Sequence, residues 1–163
     1  MLFSLALLTI IECGFQLYTG RIGYAFEYRH SPYAYLKMFI GNIAGTFVAI
    51  LWNLLQNDDM QELFTVLSDT RFSKSYGYML FSGFMCGILM MIAVHCKNKL
   101  ITVFCIMTFI LCGFDHCIAD FPYFLFAYHV PFYKLVIKML LVIFGNSLGA
   151  IYTNALIHAK ICV

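Results

Sequence analysis

Two stretches of this 163-residue chain set polar groups inside apolar surroundings: Gly14 to Arg21, reading GFQLYTGR, and Gly113 to Asp120, reading GFDHCIAD. A lipid-facing helix would carry apolar residues there, because non-helical backbone and polar side chains at membrane depth need protein or a water-filled pathway to satisfy them. The two stretches therefore predict helices that break near the bilayer midplane. A half-helix starting at each break would aim partial positive charge at an anion. His116 is the one histidine expected well inside an apolar run, and an ionisable group there is a functional candidate through proton exchange or hydrogen bonding to a solute. Its alternative is a neutral ring satisfied by a neighbouring hydroxyl or carbonyl. Asp115, His116, Cys117 and Asp120 invite a metal reading, but successive side chains on a helix diverge and no second ligand cluster exists in the sequence. Neither a metal nor any other cofactor is implied. Asp115 and Asp120 are instead expected to accept hydrogen bonds from backbone amides at the break, or to bond across to the other half.

The elements that must hold these groups follow from composition. Hydrophobic residues make up 63% of the chain and charged ones 11%, with a mean hydropathy of +0.86, well above the balance of soluble domains. Apolar runs of about 20 residues recur, each long enough to cross roughly 30 Å of hydrocarbon. Five such segments are expected, at about 1–20, 34–55, 76–96, 100–127 and 132–157, separated by polar breaks that include Gln56 to Lys74. The result is a single all-α transmembrane domain over 1–163, multi-pass and embedded in the lipid bilayer. The cysteines lie mostly in apolar runs and behave as small hydrophobes. A net charge of +2 with no long basic run excludes nucleic acid as a partner. No phosphate loop, nucleophile elbow or pair of carboxylates at catalytic spacing is present, so the chain reads as no enzyme.

An internal echo organises the spans. Cys13-Gly14-Phe15-Gln16 recurs as Cys112-Gly113-Phe114-Asp115, and Gly41-Asn42-x-x-Gly45 recurs as Gly145-Asn146-x-x-Gly149, in the same order. The first motif lies on the first span and its echo on the fourth, an odd offset, which makes the repeat inverted. Its unit is then three helices: 1–55 supplies two of the first unit and 76–157 all three of the second, so a helix is expected to precede Met1. The glycines, four apart, predict close helix packing, and the asparagines either bond across an interface or present an amide to the pathway. Loop charge is unequal. Arg21, Arg29, Lys37, Lys97, Lys99 and Lys160 stand against Arg71, Lys74, Lys134 and Lys138, which puts the C-terminus on the cytoplasmic side.

GFQLYTGR, GNIAG, GFMCGILMMIAV, GFDHCIAD and GNSLG, in that order, resemble the formate/nitrite transporter family over nearly the whole chain, starting at that family's second helix. The resemblance implies an aquaporin-like protomer with broken second and fifth helices. It also implies a homopentamer in the cell membrane, with a pathway in each protomer for small monovalent anions and protons. It makes His116 the central pathway histidine, Thr19 the hydroxyl facing it and Asn146 a further pathway residue. Phe3, Leu7, Leu17 and Phe109 become the apolar constrictions, and Arg71 a basic residue at the outer mouth. Departures from the family pattern include Gln16 for an acid, Asp115 for glutamate, Asp120 for asparagine and Gly87 for asparagine. A rival reading is a truncated, non-transporting membrane subunit or fragment of such a transporter.

Overall fold

The computed structural model describes residues 8–27, 31–56, 60–96 and 98–159, and among these there is helix and turn but no strand. Residues 8–12 are helical and end in a break at 13–17. The chain continues through α1 (Tyr18–Arg21), a single 3-10 turn (Ile22–Tyr24), α2 (Pro32–Gln56), α3 (Met60–Phe72), α4 (Tyr76–His95) and α5 (Lys99–Leu111), then α6 (Phe121–Phe126) and α7 (Phe132–His158). Three helices are long and apolar enough to span a bilayer, over Pro32–Trp52, Tyr76–His95 and Phe132–His158. The other two apolar runs are each cut in two.

Both cuts are made by the same local device. Gly14 and Gly113 take positive φ, +69° and +62°, a conformation that costs other residues a Cβ clash. Around each, the ends of the preceding helix close in the same pattern. Gly14 N donates to Ile11 O at 3.2 Å and Phe15 N to Ile10 O at 2.9 Å. Gly113 N donates to Ile110 O at 3.1 Å and Phe114 N to Phe109 O at 3.2 Å. These are Schellman closures, which satisfy the last carbonyls of a helix while turning the chain out of it.

The tightest packing joins α4 to α7 through glycines. A Cβ on Gly145 would stand 2.6 Å from Leu80 O, one on Gly149 would collide with Phe84 O, and one on Gly87 would collide with Asn146 O. Backbone therefore lies on backbone, which is how small residues bring membrane helices together. Gly41 and Gly45 differ from expectation: nothing lies within 4 Å of a Cβ at either position. α2 sits at the periphery of the described residues.

Two further expectations need correction. The segment from Gln56 to Lys74 is not a simple polar break but contains α3. Phe64, Ser68 and Phe72 recur on one face; Ser68 and Phe72 are buried, and Phe64 stacks on Phe126 at 5.2 Å between centroids. Lys138 is not a loop charge either. It lies inside α7, buried, with Nζ donating to Phe72 O and to Lys74 O at 2.8 Å, so it holds the exit of α3. The outer faces of α2 and α7 present large apolar side chains such as Phe47, Val48, Leu140 and Phe144, a surface suited to lipid or a neighbouring membrane helix.

Candidate functional site

The residue that follows each break is held by an asparagine. At the first break, Tyr18 N donates to Asn42 Oδ1 at 2.9 Å and Asn42 Nδ2 donates to Gln16 O at 3.0 Å. At the second, Cys117 N donates to Asn146 Oδ1 at 2.9 Å and Asn146 Nδ2 donates to Asp115 O at 3.0 Å. An asparagine amide offers one acceptor and two donors, so it can replace the hydrogen bonds that an interrupted helix loses. Asn146 adds a bond from Nδ2 to Gly83 O at 2.8 Å. Its amide is thus fully engaged by backbone, and it is absent from the lining of the cavity described below. Asn146 thus holds the bent backbone that carries His116.

With the breaks fixed, one side chain from each meets the other. Thr19 Oγ1 and His116 Nε2 are 3.0 Å apart, both residues buried. His116 Nδ1 accepts a hydrogen bond from Ala119 N at 3.1 Å. Because a neutral imidazole has one donor and one acceptor nitrogen, the bond from Ala119 assigns the proton to Nε2, which then donates to Thr19 Oγ1. Phe109 packs beside the ring, 5.8 Å between centroids.

A cavity of about 510 Å³ opens on His116, while Thr19 does not line it. Ile10, Leu17, Met90 and Phe109 form apolar parts of its wall, and His116, Arg71 and Asp120 supply polar ones. Leu17 and Phe109 therefore stand in the same chamber as the histidine. Phe3 and Leu7, the other two expected constriction residues, lie outside the described residues.

A charged cluster flanks the second break. Arg71 Nη1 donates to Asp120 Oδ1 and lies 3.4 Å from Asp115 Oδ1. Lys74 Nζ reaches Asp115 Oδ1 at 2.7 Å and Gly113 O at 3.1 Å, and Asp115 N donates to Ser82 Oγ at 2.8 Å. The aspartates thus take lysine and arginine as side-chain partners. Arg71 is likewise engaged by carboxylates and stacks 4.9 Å from the Tyr123 ring. Asp115 and His116, adjacent in sequence, turn to different partners, and no group of three or more metal-binding side chains occurs among the described residues. Sequence reasoning missed Lys74 and Ser82. A lysine placed just after α3, with a serine two turns into the next helix, gives no periodic signal of its own.

Comparison with known proteins agrees with this architecture. The formate/nitrite transporter family profile matches residues 1–160. The solved structure of an FNT family ion channel superposes with a TM-score of 0.77 at 21% identity, over 97% of this chain and 74% of that one. No curated protein sequence matches. A profile match over nearly every residue, on a fold with two broken membrane helices, means that this chain is a membrane transport protein, not an enzyme, and belongs to the formate/nitrite transporter family.

Proposed function

We propose that the chain conducts small monovalent anions of weak acids, with formate and nitrite as the first candidates, and that passage is proton-linked at His116. The observation that carries this reading is the hydrogen bond between Thr19 and His116, which joins two helix breaks at a cavity walled largely by apolar side chains. A bare anion entering such a space loses hydration worth many kcal/mol, whereas the protonated acid is neutral and loses far less.

The ring gives up a proton only after it carries a second one. That requires Nδ1 to release the Ala119 amide and accept a proton from water. The anion then takes the Nε2 proton and moves on as neutral acid, while Thr19, freed from the ring, holds the solute oxygen. The resting contacts return once the remaining proton has passed back to Nε2. Leu17 and Phe109, with Phe3 and Leu7 beyond the described residues, would exclude hydrated ions on either side.

In the same reading the two halves form an inverted repeat, the protein lies in the cell membrane with its C-terminus in the cytoplasm, and five copies assemble as a ring. The exposed apolar faces of α2 and α7 support an assembly of this kind. One observation favours the rival, a non-transporting subunit that works beside another chain: the uncovered glycines of α2. Uptake of labelled formate and nitrite into liposomes bearing the purified chain, across an external pH series, separates the two. The proposal expects uptake that rises as pH falls, because acidification supplies both neutral acid and protons. Absence of uptake at every pH would favour the rival.

A further inference from the structure

Asp120 forms a carboxylate within the cavity wall that the transport reading does not use. Its side chain is 1% exposed, while Arg71, which it binds, is 23% exposed. Asp120 Oδ2 is buried and has no hydrogen-bonding partner among the described residues. The cluster holds two cations, Arg71 and Lys74, and two carboxylates, Asp115 and Asp120, whose formal charges cancel. Removal of the Asp120 charge would leave one positive charge in excess beside the chamber that holds His116.

We propose that Asp120 sets charge selectivity in this pathway: its carboxylate cancels the attraction of Arg71 for anions. The chamber then gives little electrostatic help to any anion, so a weak-acid anion that His116 neutralises crosses, while a permanently charged anion keeps its full desolvation cost. The inference rests on the transport reading above and adds a preference within it. Asp120 lines the cavity with Arg71 and His116, so its charge acts on a solute directly and not through a displaced backbone. A unit charge roughly 10 Å away, at an effective dielectric constant of about 20, changes ion occupancy by roughly tenfold or more.

The test uses liposomes at neutral pH with two probes, formate as a weak-acid anion and nitrate as the anion of a strong acid. The Asp120→Asn variant should raise the nitrate-to-formate uptake ratio about tenfold, and the Arg71→Gln/Asp120→Asn pair should return it to the wild-type value. Asp120→Ser carries the same expectation should the asparagine variant not assemble, with size-exclusion profiles as the check on folding. A wild-type chain that moves formate, combined with neutral variants that leave the ratio unchanged, overturns the role of Asp120 alone. A wild-type chain that moves neither probe overturns the transport reading and this inference together.

Discussion

The two helix breaks share one design but differ in support. At the first, Asn42 joins Gln16 O to Tyr18 N. At the second, Asn146 makes the matching pair of bonds and also reaches Gly83 on α4, while Lys74, Arg71 and Ser82 anchor Asp115. The cause lies in the neighbouring helices. Gly145 and Gly149 press α7 into the backbone of α4, whereas the matching Gly41 and Gly45 on α2 touch nothing described. The break that carries the ring is held from several sides, whereas the break that carries the hydroxyl is held by the Asn42 amide and by the contact of Tyr18 Oη with Ser147 Oγ on α7 at 3.0 Å. An ionisable group at membrane depth needs its geometry fixed in this way, since a small displacement would leave buried donors unpaired.

Substitution at matched positions probes this asymmetry. The largest effect is expected from Gly149→Val, where the new side chain meets Phe84 O, a backbone atom that cannot move aside. Overpacking of this kind should cost at least ~3 kcal/mol, seen as loss of a monodisperse peak in detergent. Gly45→Val should leave that peak intact. Equal damage from both would show that α2 is covered as closely as α7.

Next in size is Asn146→Ala, which leaves the Cys117 amide and the carbonyls of Asp115 and Gly83 without their partner. A cost of about 3 kcal/mol follows from buried groups left unsatisfied, against about 1 kcal/mol for Asn42→Ala at the half-buried first break. Thermal unfolding midpoints in one detergent would rank them. A lower midpoint for the Asn42 variant would reverse the proposed order of support.

A smaller structural effect but a clear functional one is expected for Thr19→Val. Valine fills the same space and removes the acceptor for Nε2–H, so formate uptake should fall about tenfold for the loss of one buried hydrogen bond of ~1.4 kcal/mol. Thr19→Ser, which keeps the oxygen, should retain most uptake. If valine and serine behave alike, the hydroxyl has no part in passage.

Much of this was legible in the sequence because it rests on local signals. Length and hydropathy gave the spans, and the paired Cys-Gly-Phe motifs gave the breaks, since a positive-φ glycine followed by an apolar residue is itself the stop signal of a helix. His116 stood out because it is the one histidine expected well inside a span and not near its end. The role of Asn146 was not legible: an asparagine beside two glycines reads as a packing or pathway residue until the bent backbone it satisfies is in view. The same holds for the aspartates, whose partners Arg71 and Lys74 lie some 40 residues away in sequence. α3 was hidden by its low hydropathy, although Glu62 in its first turn and Arg71 in its last match the charge preference of helix ends.

The most direct test of the central claim, that the His116 ring moves the proton that lets a weak acid cross, is formate uptake by His116→Asn beside the wild-type chain at a series of external pH values. Asparagine can still hydrogen-bond to Thr19 but cannot exchange a proton. The account predicts uptake in the wild type that rises toward acid pH, and a variant whose uptake is reduced and nearly flat across the series. A variant that keeps the wild-type rate and the wild-type pH profile would contradict it.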